Sequence, residues 1–504
     1  MSTIKNGPRR ISRRDFIKGA GIGAAAMAGA GALASCGQAA TPGPVPGVPE
    51  TWDKEADVVV IGSGAAGGPA AVVAHDTGAS VIVLEKMPAW GGSLALAAGV
   101  LSGADPSRLD AAIEYMMACG MGLVDLDTVT AWAQGTVTLF DWIQGLGGIG
   151  EVASTGGHWP QFAGADAVLS WASEGGSVLA TMLLNAVNER GSEVMLETSA
   201  KELVVDAEGQ VIGVIAEQGG TSIAVKAKRG VILACGGMDY NEWMKSQYFG
   251  HPIYGVGTPG NTGDAITMAG RLGAKLWKPD VTCGLMGQRV PGTGPARFAG
   301  FAFLTAFAGV IFVDKNGKRF TDETLFYDRQ YKQLRYFDPV RAEYPRIPCY
   351  GVFSETAKLV GATSDADLEA GLAVSADTIG GLAAKIGIDP TVLEGTISQY
   401  NEYCAAGQDP DFGRAALIPV DETPPYYAVE SYPVTAGCFG GPQINGKAQV
   451  LDTYDQVIPR LYAAGCASGG AVGRLYPVHG ISLSNGFTFG RIAGENAAME
   501  TPLT

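Results

Sequence analysis

The sequence predicts an α/β protein built on a Rossmann-like parallel sheet, and three local observations carry that expectation. Asp57-Val-Val-Val-Ile61 is a β-branched apolar run of strand type. Gly62-Ser63-Gly64-Ala65-Ala66-Gly67 follows at once and opens an Ala-rich helical stretch. A second apolar strand, Ser80-Val-Ile-Val-Leu84, ends in Glu85, eighteen residues past Gly67.

Each part has a physical role. Gly62 permits a tight turn, Gly64 lets a pyrophosphate approach the backbone, and Gly67 lets helix and strand pack closely. The helix N-terminus offers free N–H groups and the positive end of its dipole to phosphates. Glu85 stands where a carboxylate accepts hydrogen bonds from ribose hydroxyls, and its charge disfavours a 2′-phosphate, hence NADP. A glycine motif alone is weak evidence. Strand, turn, helix, second strand and carboxylate in this order specify a dinucleotide-binding unit.

The chain around this unit has 504 residues, enough for two or three domains at ~150 residues each. Apolar residues make up 47% and charged residues 17%, so a large core can form. Glycine, at 73 residues, is about twice as frequent as the usual ~7% and shows no collagen-like period, which implies many tight turns. The net charge is −15, divided into +5 over residues 1–35 and −20 over the rest. A chain so acidic is not expected to bind nucleic acid, which requires cations against phosphate.

Residues 1–36 read as an address. Ser12-Arg13-Arg14-Asp15-Phe16-Ile17-Lys18 matches the twin-arginine export pattern, and sixteen Gly/Ala-rich residues follow from Gly19 to Ala34. That stretch is short for a bilayer span and is set apart from the fold argument. Export by this route, to the periplasm or cell surface, is expected of a protein already folded around its cofactor. Leu33-Ala34-Ser35-Cys36 resembles a lipoprotein cleavage box, so the expectation includes a lipid tether at Cys36. Residues 37–54 read as a flexible linker.

The eight cysteines form no Cys-x-x-Cys and no haem-attachment motif. Cys119, Cys235 and Cys349 sit in apolar or Gly-rich runs, as buried free thiols do. Without its own haem, the protein must exchange electrons with an external donor or acceptor. Phe298 to Val313 is sixteen residues without a charge and ends in Asp314-Lys315-Asn316-Gly317, a hairpin signal; its second half reads as a buried strand.

Glu85-Lys86-Met87-Pro88-Ala89-Trp90-Gly91-Gly92-Ser93 resembles the stretch that wraps a flavin in the fumarate reductase and 3-ketosteroid dehydrogenase superfamily. Three further runs agree: Gly230–Gly237, Gly260–Ala265, and Leu461–Gly465 leading to Phe489–Gly494. The resemblance covers nearly the whole chain after residue 54. It implies FAD, a discontinuous Rossmann-like FAD-binding domain (residues 55–283 and 431–504) and an inserted α+β catalytic cap (284–430). It also implies that FAD is held by Gly62, Gly64, Ala65, Ala66, Gly67, Glu85, Lys86, Gly91, Gly92, Ser93, Gly236, Asp264, Gly465, Ser482 and Leu483. One departure stands out: many relatives have an acidic or amide residue at the place of Cys466.

Two places discriminate among the chemistries of that superfamily. In Arg319-Phe320-Thr321-Asp322-Glu323, followed by Tyr327 and Asp328, the tyrosine stands where fumarate reductases carry a proton-delivering arginine and 3-ketosteroid dehydrogenases a tyrosine base. A phenol with its ordinary pKa of ~10 needs a neighbouring charge or hydrogen bond to serve as a base, and Arg329 and Tyr331 are the candidates by proximity. The competing reading is that Tyr327 packs at the domain interface. The second place is Tyr476-Pro477-Val478-His479-Gly480, which resembles the Tyr-Pro-x-x-Gly of the ketosteroid dehydrogenases, where the tyrosine hydroxyl and the glycine N–H bind the ketone oxygen. The carboxylate-clamping arginine of fumarate reductases falls on Pro477 and an upstream histidine on Val472; Arg474 remains a candidate to replace the former.

The ketosteroid resemblance is incomplete, because the stretch that supplies a further tyrosine there reads Gly156-Gly157-His158-Trp159 here. His158 and His479, two of only four histidines, are therefore candidate site residues beside Tyr327, Tyr476 and Gly480. The expected enzyme moves a hydride and a proton across a C=C bond conjugated to a carbonyl, on a bulky 3-ketosteroid-like ketone, with a quinone or cytochrome as electron partner. The alternative is an exported fumarate- or urocanate-type enoate reductase. A flavin-loaded electron carrier is disfavoured, since it has no use for so large an inserted cap.

Overall fold

The computed structural model describes residues 47–290, 295–325 and 327–503. The export-like segment and Cys36 lie outside the described residues. Strand β1 (Lys54–Ile61) carries Val58, Val59 and Val60 fully buried. This both-faced burial is what a β-branched run finds in the middle of a parallel sheet. It leads into helix α1 (Gly67–Asp76) and returns as β2 (Val81–Leu84), parallel to β1. Strand β3 (Glu193–Met195) extends the sheet beyond β2, and β4 (Thr221–Leu233) pairs in parallel with the other side of β1.

The chain then leaves this sheet. Strand β5 (Thr282–Gln288) begins a second, largely antiparallel sheet. The apolar run singled out above ends there as a fully buried strand, Val310–Val313, followed by a turn in which the Gly317 N–H donates to the Asp314 carbonyl. Helix α2 (Asp328–Leu334) packs against β5. Strand β6 (Tyr426–Cys438) pairs with β5 and with Cys349–Ser354. After β6 the chain rejoins the first sheet as β7 (Val457–Ala463), parallel to β4. The order β3–β2–β1–β4–β7, continued at the edge by the antiparallel strand Gln449–Leu451, therefore draws its last strands from the far end of the chain. A small antiparallel sheet (100–104, 150–155, 168–173) stands beside the site.

The long helix α3 (Ile481–Met499) closes the structure by crossing α1. Small residues make this crossing possible. A Cβ on Gly490 would lie 2.2 Å from the Ala66 carbonyl oxygen, and one on Gly494 2.4 Å from that of Ala70. The seven described cysteines are free thiols, as expected. No described helix is long and apolar enough to cross a membrane.

Candidate active site

A cavity opens where the parallel strands end. Its first wall is the backbone after β1 (Gly62–Ala66), after β2 (Leu84–Met87), after β4 (Ala234–Gly236) and after β7 (Ala464–Cys466). The carboxyl ends of parallel strands are where such folds bind ligands, because loops and helix N-termini converge there.

The glycines divide the labour as their spacing predicts. Gly62 has φ +102°, and a Cβ on it would press to 2.5 Å from the Ala234 carbonyl oxygen. A Cβ on Gly67 would lie 1.8 Å from the Gly62 oxygen. At Gly64 a Cβ would meet only the Gly91 oxygen, at 3.7 Å, so this residue faces open space at the start of α1. That is a cradle for a pyrophosphate. Gly64→Val is expected to fold normally and purify without flavin, measured as loss of visible flavin absorbance per protein. Gly67→Val is the control that fails to fold.

Glu85 is buried and oriented. Its Oε2 accepts the Ser63 N–H at 3.0 Å and the Ser63 hydroxyl at 2.7 Å, and its Oε1 accepts the Met87 N–H at 2.8 Å. A carboxylate offers about four lone-pair sites, so capacity remains for a ribose hydroxyl. Lys86 Nζ donates to Asp264 Oδ2 at 2.7 Å and to Thr262 Oγ1 at 2.6 Å. Gly92, Ser93, Gly236, Gly465, Ser482 and Leu483 line the cavity along with Ala65 and Ala66. Gly67 and Gly91 lie behind the wall instead: Gly67 serves the strand–helix contact, and the Gly91 N–H donates to Ser63 Oγ at 3.0 Å. The donor and acceptor set, the open glycine cradle and the helix N-terminus fit the dinucleotide part of FAD.

Sequence reasoning missed one buried network. Asn261 Nδ2 donates to Asp239 Oδ2 at 2.6 Å and to Ser93 Oγ at 3.1 Å, and Asp239 Oδ1 accepts the Cys438 N–H at 2.8 Å. Burial pushes the Asp239 carboxyl above its ordinary pKa, opposed by the hydrogen bonds from Cys438 and Asn261. Asn261 lies inside one glycine run already singled out and Asp239 two residues past another, but their partners are distant in sequence. Cys466, the departure from the family pattern, lines the cavity with its Sγ 3.7 Å from Ser482 Oγ, its thiol pushed up to about 12 by burial.

At the far end the cavity is bounded by Cys283, Tyr327, Tyr476 and Gly480. Three chain segments bring four rings together there. The rings of Tyr327 and Tyr476 lie parallel, 5.8 Å apart with 3° between planes. His479 meets Tyr327 edge-on at 5.0 Å and His158 at 4.3 Å, and His158 lies 5.5 Å from Tyr327. The two histidines back the tyrosines and are not on the cavity wall itself. Gly480 has φ +81°, and a Cβ would meet the Val100–Leu101 backbone at 2.6 Å, so only glycine fits at the start of α3. The Tyr476 hydroxyl oxygen accepts the Ser482 N–H at 3.4 Å, and the Cys283 thiol lies within hydrogen-bonding reach of the same hydroxyl.

Burial decides the protonation states. It raises the pKa of both phenols, with Cys283 adding to the effect, and lowers His158 to about 3, with His479 adding to it. Burial lowers His479 as well. Tyr327 holds φ 51°, ψ −125°, a backbone conformation that costs a non-glycine residue ~1–3 kcal/mol and persists only where surroundings impose it.

The three groups weighed as helpers of the site have partners of their own. Tyr331 does not serve Tyr327: its hydroxyl lies 3.1 Å from His251 Nε2 in a separate buried cluster. Arg329 lies over the Trp159 ring at 5.3 Å. Arg474 is absent from the cavity wall and is ion-paired with Asp280. The arginine that does reach the described wall, Arg297, is paired with Asp367 and donates to Gln288 Oε1 at 3.0 Å.

The family model described as FAD binding domain matches residues 57–483. Digoxin reductase of Eggerthella lenta is 30% identical, over 98% of this chain and 98% of its own length. Urocanate reductase of the same organism is 30% identical, over 90% of this chain and 76% of its own length. The 3-ketosteroid Δ1-dehydrogenase from Sterolibacterium denitrificans superposes with a TM-score of 0.81 at 23% identity, covering 88% of this chain and 99% of that one, which is a likeness of fold.

Proposed function

We infer the reaction from one premise: the chain belongs to the FAD binding domain family. It is an FAD-dependent oxidoreductase acting on CH–CH groups, at a C=C bond conjugated to a carbonyl. The finer reading is that the substrate is a bulky, mostly apolar ketone of 3-ketosteroid type and that the working direction is reduction of the enone. The supporting observation is the parallel pair Tyr327 and Tyr476 at the cavity's end, with Gly480 beside them.

FAD supplies the hydride acceptor or donor; the rest of the chemistry falls to side chains. The Tyr476 hydroxyl and the Gly480 N–H grip the ketone oxygen and stabilise the enolate that forms when hydride reaches the β-carbon. Tyr327, neutral because it is buried, gives its proton to the α-carbon and regains one from solvent. A neutral phenol is the form that can give a proton, as enone reduction requires. Electrons come from an external quinone or cytochrome, since the sequence carries no haem motif.

A small-carboxylate reading draws support from the identity to urocanate reductase and from Arg297 on the wall. The guanidinium of Arg297 is already committed to Asp367 and Gln288, which leaves it poorly placed to clamp a carboxylate. The test is anaerobic: the holoenzyme's flavin is reduced by a viologen, then mixed with a 3-keto-Δ-steroid, a small cyclic enone, fumarate or urocanate. Reoxidation fastest with the steroid enone is expected. Rapid reoxidation by fumarate or urocanate alone would reverse the assignment.

A further inference from the structure

Tyr327 and Tyr476 come from segments nearly 150 residues apart, and one buried side chain joins them. Asp328 directly follows Tyr327 and is 1% exposed. Its Oδ2 accepts the backbone N–H of Tyr476 at 3.1 Å. Its Oδ1 lies 3.1 Å from Lys332 Nζ, one helical turn along α2. The same Nζ donates to the Arg474 carbonyl at 3.0 Å. Two residues on one face of α2 therefore hold both ends of Arg474–Tyr476.

We propose that Asp328, braced by Lys332, is a positioning residue that sets the ketone-gripping Tyr476 in register with the proton-bearing Tyr327. The inference rests on the roles given to those tyrosines above. The other side of the loop is already fixed. Trp159 Nε1 donates to the Tyr476 carbonyl at 3.0 Å, and the Pro477 carbonyl accepts from the Tyr115 hydroxyl and the His158 N–H, both at 2.7 Å. Those bonds anchor the loop to the small-sheet side of the site. Asp328, together with Lys332 on the same helix, ties it to the segment that carries Tyr327. A buried carboxylate is a costly way to add stability alone, because desolvation offsets most of its attraction to a lysine. It also helps to account for the strained backbone at Tyr327, which needs its neighbours to impose it.

The test uses purified holoenzyme and steady-state enone reduction. Asp328→Ala is expected to keep its flavin and lose kcat on the order of 100-fold, as a misplacement of about 1 Å does, with KM within a few-fold of the native value. Asp328→Asn keeps an acceptor for the Tyr476 N–H and is expected to recover most of that loss. Should Asp328→Ala not fold, Lys332→Met decides: the same split between kcat and KM is expected, and a native kcat overturns the proposal. Native kcat in Asp328→Ala, a lower melting temperature as its sole defect, or an Asn variant as impaired as Ala would each overturn it too. Tyr327→Phe runs alongside. If that variant is inactive while Asp328→Ala is native, the clamp fails and the tyrosine mechanism stands. If Tyr327→Phe is fully active, the mechanism itself fails.

Discussion

Tyr327→Phe is expected to bind FAD as the native protein does and to lose turnover of the enone by about 10³-fold, within the ~10²–10⁴ range of positioned proton transfer. The ring would stay stacked on Tyr476, so packing changes little and the loss reports the missing O–H. The pH dependence makes the same point independently. Burial raises the Tyr327 pKa, so the proton-bearing form is the active one, and the rate falls only as pH climbs through that raised value. Burial also lowers His158, to about 3, and His479, so neither imidazole becomes charged near neutrality. Enone-reduction kcat/KM is therefore expected to be flat from about pH 6 to 9. A limb with an apparent pKa of ~6–7 would hand the proton to a histidine instead. Measured in reverse, dehydrogenation needs the phenolate and rises steeply with pH over the same interval.

Tyr476→Phe is the second large effect. On the proposed mechanism it removes one of two donors to the ketone oxygen at the step where charge builds on it. Loss of one such donor costs ~10²–10³ in kcat, or about 3 kcal/mol. The Gly480 N–H survives, so activity falls without vanishing. The variant is also expected to bind the saturated ketone only slightly less well, because the donor matters most to the enolate. Combined with Tyr327→Phe, the losses are expected to fall short of additive, since the two hydroxyls serve one proton-and-charge movement. Stopped-flow reoxidation of the reduced flavin by enone, for each single variant and the double, measures all three.

The dinucleotide unit was legible because its chemistry is local. Gly62, Gly64 and Gly67 act on a backbone that turns within six residues, so spacing alone reveals their roles. Tyr476 and Gly480, singled out within one short loop, both line the cavity. What stayed hidden depends on partners far along the chain. Asp239 matters through Cys438, 199 residues away, and Asp328 through Tyr476, 148 residues away. Proximity in sequence also misled. Tyr331 sits one helical turn beyond Tyr327, yet its hydroxyl is taken by His251, 80 residues earlier, because α2 presents those positions to different neighbours. Arg474 was within reach by loop length and was drawn off by Asp280. Gly91 lies in the flavin-wrapping run but supports Ser63 from behind, a distinction that only the third dimension reveals.

The return of the chain to its first sheet has a consequence for biosynthesis. The strand Val457–Ala463 and the helix after it leave the ribosome later than the other parallel strands of the first sheet, and with them come Gly465, Tyr476 and Gly480. Until then the nascent protein holds one half of a flavin pocket and an unpaired sheet edge. Flavin capture therefore waits on the synthesis of these late segments, and products truncated before Val457 are expected to be empty and prone to proteolysis.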